Sequence, residues 1–211
     1  EKNLAYIREK GLGDFVRYVG TYQQDNSSQD YEAWLRNHAA GRKELKRQRT
    51  AVFSTTPLIS IVIPLYNTPE EYLKELIDSV RAQTYTNWQL CLADGSEGPE
   101  TRAFLNKKYR KENRITYKKL KENKGISENT NAAMKLAAGE YILLCDHDDV
   151  LTPDALFHIA KAITEQKADV IYTDEDKVSM DGKHYFEPNF KPDYNPDLLR
   201  SNNYICHFLV A

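Results

Sequence analysis

The chain is short of everything that would mark a metal-ribbon, disulfide-framed, membrane-spanning or nucleic-acid-coating protein. Among 211 residues there are three cysteines, Cys91, Cys145 and Cys206, and none stands in a CxxC spacing. That excludes a zinc ribbon and a disulfide framework, and their apolar surroundings predict buried free thiols in a reducing compartment. No apolar run approaches membrane-spanning length. The formal net charge is −2, with Lys and Arg scattered among acids, so the basic face of a nucleic-acid binder is missing. The opening Glu1-Lys2-Asn3-Leu4 has no apolar core of a secretory signal, although the chain does not begin with Met and targeting residues upstream stay open. The Asn26-Ser27-Ser28 sequon then reads as accidental. Gly11-Leu12-Gly13 is not a dinucleotide fingerprint, because no strand precedes it and the third glycine is absent. What is present, 41% hydrophobic and 28% charged residues, suits a soluble globular domain with an appendage.

Residues 1–56 read as a helical extension or linker. Charged, helix-prone segments at about Leu4–Tyr18 and Asp30–Arg49 flank a polar break at Gln23–Gln29. The basic cluster Arg42, Lys43, Lys46, Arg47 and Arg49 reads as a solvated helix face, since Glu44 interrupts it and no broad apolar face backs it. Thr55-Thr56-Pro57 leads into a second region, 57–211, where strands and helices alternate. Strands are expected at Leu58–Pro64, Gln89–Ala93, Ile115–Lys119, Tyr141–Cys145 and Val170–Thr173. Helices are expected at Pro69–Gln83, Thr101–Lys111, Ser127–Ala138 and Pro153–Gln166. This order predicts a mostly parallel, Rossmann-like α/β sheet with helices on both faces. Beyond Asp174, Met180-Asp181-Gly182-Lys183 reads as a hairpin turn and Ile205–Val210 as a last strand. Since the chain stops in that strand, it is expected to be cut from a longer protein at its C-terminal side.

The fourth strand ends in Asp146-His147-Asp148-Asp149. Desolvating an unpaired carboxylate is costly, so acids massed at the end of a buried strand point to a cation or a cationic transition state in the crevice where open α/β sheets bind ligands. Capping of the helix marked by Thr152-Pro153-Asp154 is the rival reading, but a cap needs one acid. The other strand ends are polar too: Pro64-Leu65-Tyr66-Asn67, Asp94-Gly95-Ser96, and Asn123-Lys124-Gly125-Ile126-Ser127 before the third helix. Together they describe a nucleotide crevice. Asp94 is suited to accept the N3–H of uracil or thymine, which cytosine lacks. Tyr66 is suited to lie on the base or ribose. Gly125 allows close backbone approach to phosphate or sugar, with Ser127 capping the following helix. Asp148, with or without Asp146, is suited to hold Mg²⁺ or Mn²⁺ and so neutralise a diphosphate. His147 is read as a rim or structural histidine.

The ordered set Ser60-Ile61-Val62-Ile63-Pro64-Leu65-Tyr66-Asn67, Asp94-Gly95-Ser96, Asn123-Lys124-Gly125-Ile126-Ser127 with Asn131, Gly139-Glu140-Tyr141-Ile142 and Asp146-His147-Asp148-Asp149 resembles the family 2 glycosyltransferases of GT-A fold. The likeness spans about residues 58–210. It implies inverting transfer of a sugar from a UDP- or dTDP-sugar to a saccharide or lipid-linked saccharide acceptor. By that analogy Pro64, Tyr66, Asn67, Asp94, Gly95, Ser96, Asn123, Gly125, Asn131, Asp146 and His147 line the donor site, and Asp148 with Asp146 binds the metal. Thr173-Asp174-Glu175-Asp176-Lys177, Pro188 and Lys191-Pro192-Asp193 resemble the members that build bacterial cell-surface polysaccharides, rhamnosyltransferases among them. The implied location is cytoplasmic, with peripheral association at the inner membrane face left open. Such a transfer needs a base for the acceptor hydroxyl. The family usually carries it further downstream, and within this chain the candidates are Asp174, Glu175 and Asp176. Two rival readings stand beside it. A sugar nucleotidyltransferase is expected to carry a Gly-rich, basic phosphate loop where Tyr66-Asn67-Thr68-Pro69-Glu70 stands. A non-catalytic, donor-binding module remains the second alternative.

Overall fold

The computed structural model describes residues 27–211. In chain order the first elements are helices α1 (Ser27–His38) and α2 (Arg42–Arg49), strand β1 (Ile59–Leu65), helix α3 (Glu70–Arg81) and strand β2 (Trp88–Asp94). Then come α4 (Glu100–Lys108), β3 (Ile115–Lys119), α5 (Ile126–Met134), β4 (Tyr141–Leu144) and α6 (Ala155–Lys161), which runs into a π-helical turn at Ala162–Gln166. Strands β5 (Ile171–Tyr172), β6 (Glu175–Val178) and β7 (Tyr185–Asn189), helix α7 (Pro196–Ser201) and strand β8 (Leu209–Val210) complete the chain. They form two compact units, one of residues 27–39 with Asp176–Asn189, the other of Ala40–Glu175 with Phe190–Ala211.

The larger unit holds a six-stranded sheet in the order β3-β2-β1-β4-β8-β5. β1 pairs in parallel with β2 and β4, and β2 with β3, while β8 runs antiparallel to both β4 and β5. The fold class is therefore the mixed α/β, mainly parallel sheet that the alternation predicts. Side-chain alternation along β1 and β2 explains the two covered faces. Ile59, Ile61, Ile63 and Leu65 with Leu90 and Leu92 enter the larger core, against Leu73, Leu76, Ile77 and Val80 of α3 and Leu156, Phe157 and Ile159 of α6. The α3 residues recur at helical spacing, and each aliphatic side chain so buried contributes roughly 1.5–3 kcal/mol. Val62, Cys91 and Ala93 face the other way, small enough for Ala133 of α5 to pack close. Strands buried on both faces read as continuous apolar runs, which is why these were legible.

The smaller unit packs α1 against the β6–β7 hairpin, whose turn contains the expected Gly182 at φ 70. In it Tyr31 donates its hydroxyl to Asp176 at 2.6 Å, and His184 Nδ1 lies 3.1 Å from Glu32. The expected helix at Leu4–Tyr18 and the Asn26 sequon lie outside the described residues.

Some expectations need correction. The segment Asp30–Arg49 is two helices, broken at residues 39–41, with Gly41 as N-cap of α2. The helix expected from Ser127 starts one residue earlier with Gly125 as N-cap, so Ser127 does not cap it, and it ends at Met134. The strand expected over Ile205–Val210 shrinks to Leu209–Val210, because side chains rather than a neighbouring strand hold the backbone just before it. Cys206, in that loop, is exposed, whereas Cys91 and Cys145 are buried as expected. Among the described residues no helix is long and apolar enough to cross a membrane.

Candidate active site

The carboxyl ends of β1 to β5 share one edge of the sheet, and the strand order reverses between β1 and β4. Crevices at such a reversal are where open α/β sheets bind ligands. Tyr66 and Asn67 leave β1 there, Gly95 and Ser96 leave β2, and Asp146 to Asp149 leave β4. Tyr66 is 46% exposed, and Pro64 beneath it is half-buried. Asn67 has φ 49, and its N–H donates to Ser96 Oγ at 2.7 Å, tying the β1 and β2 loops together.

Asp94 is fully buried at the end of β2. Its Oδ1 accepts the Ser96 N–H at 2.9 Å; its Oδ2 accepts the Tyr117 hydroxyl at 2.7 Å and the Lys119 ammonium at 3.3 Å. Burial alone would push this carboxyl up. The hydrogen bonds from Ser96, Tyr117 and Lys119 outweigh it and hold the group below the usual carboxylate range. Burial and the Asp94 charge push the Tyr117 phenol well above its ordinary value. Tyr117 and Lys119 were missed in the sequence. Their spacing of two along β3, in register beside β2, is the signal that places both on one face.

Gly95 is a glycine for space: a Cβ there would stand 2.8 Å from Asn129 Nδ2 and 3.2 Å from Asn123 Cα. Asn123 Oδ1 in turn accepts from Asn129 Nδ2 at 2.8 Å and from the Gly125 N–H at 3.0 Å. Asn129, buried and also missed, thus holds the loop before α5. Gly125, at φ 88 and ψ 172 with open space around it, is a glycine for conformation. Asn131 is exposed on α5.

The segment that follows the acidic run is held by Ser79 of α3 and by Gln83 just beyond that helix. Ser79 Oγ accepts the Leu151 N–H at 3.2 Å, and Gln83 bonds Thr152 O at 2.7 Å and the Leu156 N–H at 2.9 Å. The residue at the N-cap of α6 is Asp154, which pairs with His158 at 3.4 Å. The acids at 146–149 therefore do not cap that helix. Instead Asp146 and Asp149 each lie 3.7 Å from the imidazole of His207, through Nε2 and Nδ1 respectively. One ligand atom from each of these three residues falls within 4.8 Å of the others. Asp148 is exposed and outside the triad, and His147 is half-buried. Burial pushes Asp149 above the usual carboxylate range; His207 pulls it back, and Asp146 and Asp148 push it further up. Among the described residues, four buried side-chain polar atoms lack a hydrogen-bond partner. Three of them, Thr68 Oγ1, His147 Nδ1 and Asp149 Oδ2, stand in the loops after β1 and β4. Buried polar groups in native proteins are nearly always paired, so a bound ligand or ordered water is the natural partner of these three atoms. Two carboxylates and an imidazole, with Asp149 Oδ2 accepting no hydrogen bond, fit a divalent ion.

Of the base candidates, Asp174 Oδ1 accepts the Lys191 N–H at 2.8 Å, and Glu175 Oε2 accepts from the Lys191 ammonium and the His207 N–H, both at 3.3 Å. Asp176 accepts the Tyr31 hydroxyl. All three hold structure together.

The model of the glycosyl transferase family 2 matches residues 60–211, and the chain belongs to that family. It is 41% identical over 85% of its length to an uncharacterized protein, y4gI, of Sinorhizobium fredii. It is 34% identical over 89% of its length to the O-antigen biosynthesis protein RfbC of Myxococcus xanthus. The chain spans only 20% and 15% of those two relatives. The crystal structure of residues 1–349 of S. aureus TarS superposes with a TM-score of 0.50 at 29% identity, over 54% of this chain and 34% of that one. The fold is thus the GT-A type.

Proposed function

We propose that this chain binds a UDP- or dTDP-sugar with Mn²⁺ or Mg²⁺ and is the donor half of an inverting glycosyltransferase in bacterial cell-surface polysaccharide synthesis. The observation that carries the reading is the convergence of Asp146, Asp149 and His207 at the sheet reversal, where the buried Asp149 Oδ2 accepts no hydrogen bond. These three residues would hold the ion, with Asp148 at the mouth of the same crevice. When bound, it would supply positive charge against a leaving diphosphate. Tyr66 offers a ring face to base or ribose. Asp94, fully buried, organises the floor on which a pyrimidine base would rest, through Ser96, Tyr117 and Lys119. The loop at Asn123–Gly125 presents backbone to sugar or phosphate. Family membership and the likeness to an O-antigen biosynthesis protein support the polysaccharide assignment.

A second reading has an observation of its own. Asp174, Glu175 and Asp176 are all engaged in internal hydrogen bonds, which favours donor binding by this stretch with acceptor activation by a base elsewhere in a longer protein. The test of the main reading is thermal denaturation with UDP or dTDP, with and without Mn²⁺. A metal-dependent rise in Tm is expected, and no rise with any pyrimidine nucleoside diphosphate refutes it. Transfer and hydrolysis from a donor panel, compared between this chain and a longer stretch of the protein, separate the two readings.

A further inference from the structure

His207 is placed by something other than a strand. It lies in residues 202–208, between α7 and β8, a segment with no ladder of its own. The peptide groups on both sides of it are nevertheless bound. The His207 N–H donates to Glu175 Oε2 at 3.3 Å, and the Phe208 N–H donates to Thr173 Oγ1 at 3.3 Å. The Lys191 ammonium donates to the Ile205 carbonyl at 2.6 Å, to the His207 carbonyl, and to Glu175 Oε2 at 3.3 Å.

An ammonium has three donors, and all three of these are used. The Lys191 side chain is only 1% exposed. Burying a lysine is expensive unless its charge is matched and its donors are filled, so a lysine in such a place is tied to the groups it holds. Here two of those groups are carbonyls of the loop carrying His207, and the third is the carboxylate that also grips the His207 N–H. The backbone of Lys191 is itself anchored to Asp174. The whole assembly turns one imidazole toward Asp146 and Asp149.

We infer that Lys191, acting with Glu175, is the positioning residue that pre-sets His207 against the two carboxylates, so that the metal site is formed before the ion arrives. The inference rests on the metal-binding reading above and deepens it. It also gives Glu175 a task unrelated to proton transfer. Groups that orient metal ligands typically change metal affinity about 10–100-fold when removed.

The experiment is a titration of the chain with Mn²⁺ alone, followed by electron paramagnetic resonance of the free ion, in a double-mutant cycle. Lys191→Met is expected to weaken Mn²⁺ binding about 10–100-fold in the wild-type background and to have no further effect in His207→Ala. Affinity within about twofold of wild type, a small fraction of that range, overturns the inference. So does an equal loss added on top of His207→Ala, which marks Lys191 as merely structural. If Lys191→Met fails to fold, by circular dichroism, Thr173→Val deletes only the Phe208 acceptor and carries the same cycle with a smaller loss. Unchanged binding in His207→Ala removes the metal-site reading itself, and this is read from a different variant.

Discussion

The two ends of the sheet are built differently. On the β3-β2-β1-β4 side, strands of four to seven residues align side by side in parallel ladders, and their apolar side chains fill both cores. On the β8-β5 side, both strands are two residues long. There the chain is held by side chains reaching backbone: Lys191, Glu175, Thr173, and the Tyr172 hydroxyl on Pro192 O at 2.7 Å. The ladder side places Asp94 and Asp146; the clamped side places His207. A crevice between them therefore combines positions fixed by regular hydrogen bonding with one fixed by a few named side chains. Damage should spread widely on the first side and stay local on the second.

The largest effect is expected from the ladder side. Leu90→Ala empties a fully buried site between β1 and β3 and should cost about 3–4 kcal/mol, lowering stability to urea as one cooperative transition. A loss confined to one loop would break the contrast. Asp94→Asn comes next, at about 3 kcal/mol, because it leaves Lys119 beside a neutral group and removes a charged acceptor from Tyr117. The pH dependence has a definite sign. A carboxyl held below its ordinary value of 3.8 stabilises the fold fully above that pH, and the contribution fades as pH falls through the lowered folded value. Acid titration of stability should therefore show the wild type losing its advantage over Asp94→Asn below about pH 4. The smallest effect belongs to the clamped side. Tyr172→Phe removes an exposed hydroxyl contact and should leave the urea midpoint close to that of the wild type. Hydrogen exchange should show the change near Pro192, with β1 and β2 unaltered.

The same contrast decides what was legible from sequence. The strands at Leu58–Pro64 and Gln89–Ala93 announced themselves to within a residue, since a strand buried on both faces must be apolar and its polar exit must lie at the edge. Asp146 to Asp149 stood out because charge at the end of such a strand has to be compensated. Tyr117 and Lys119 were within reach, given the register of β3 on β2. His207 and Lys191 were not. No periodicity marks a loop held by a lysine, and Ile205-Cys206-His207-Phe208-Leu209-Val210 has the composition of a strand. Asp174 and Glu175 stood as base candidates for the same reason: their partners, seventeen and sixteen residues away, belong to no repeating pattern.

The central claim is that the ion site draws on both sides of the sheet, through Asp146, Asp149 and His207. The most direct measurement is the Tm rise produced by UDP with Mn²⁺ over UDP alone, taken side by side for the wild type, Asp149→Ala and Asp148→Ala. A metal-dependent rise in the wild type that vanishes in Asp149→Ala and largely survives in Asp148→Ala is the predicted result. A rise that vanishes in Asp148→Ala and survives in Asp149→Ala would contradict it.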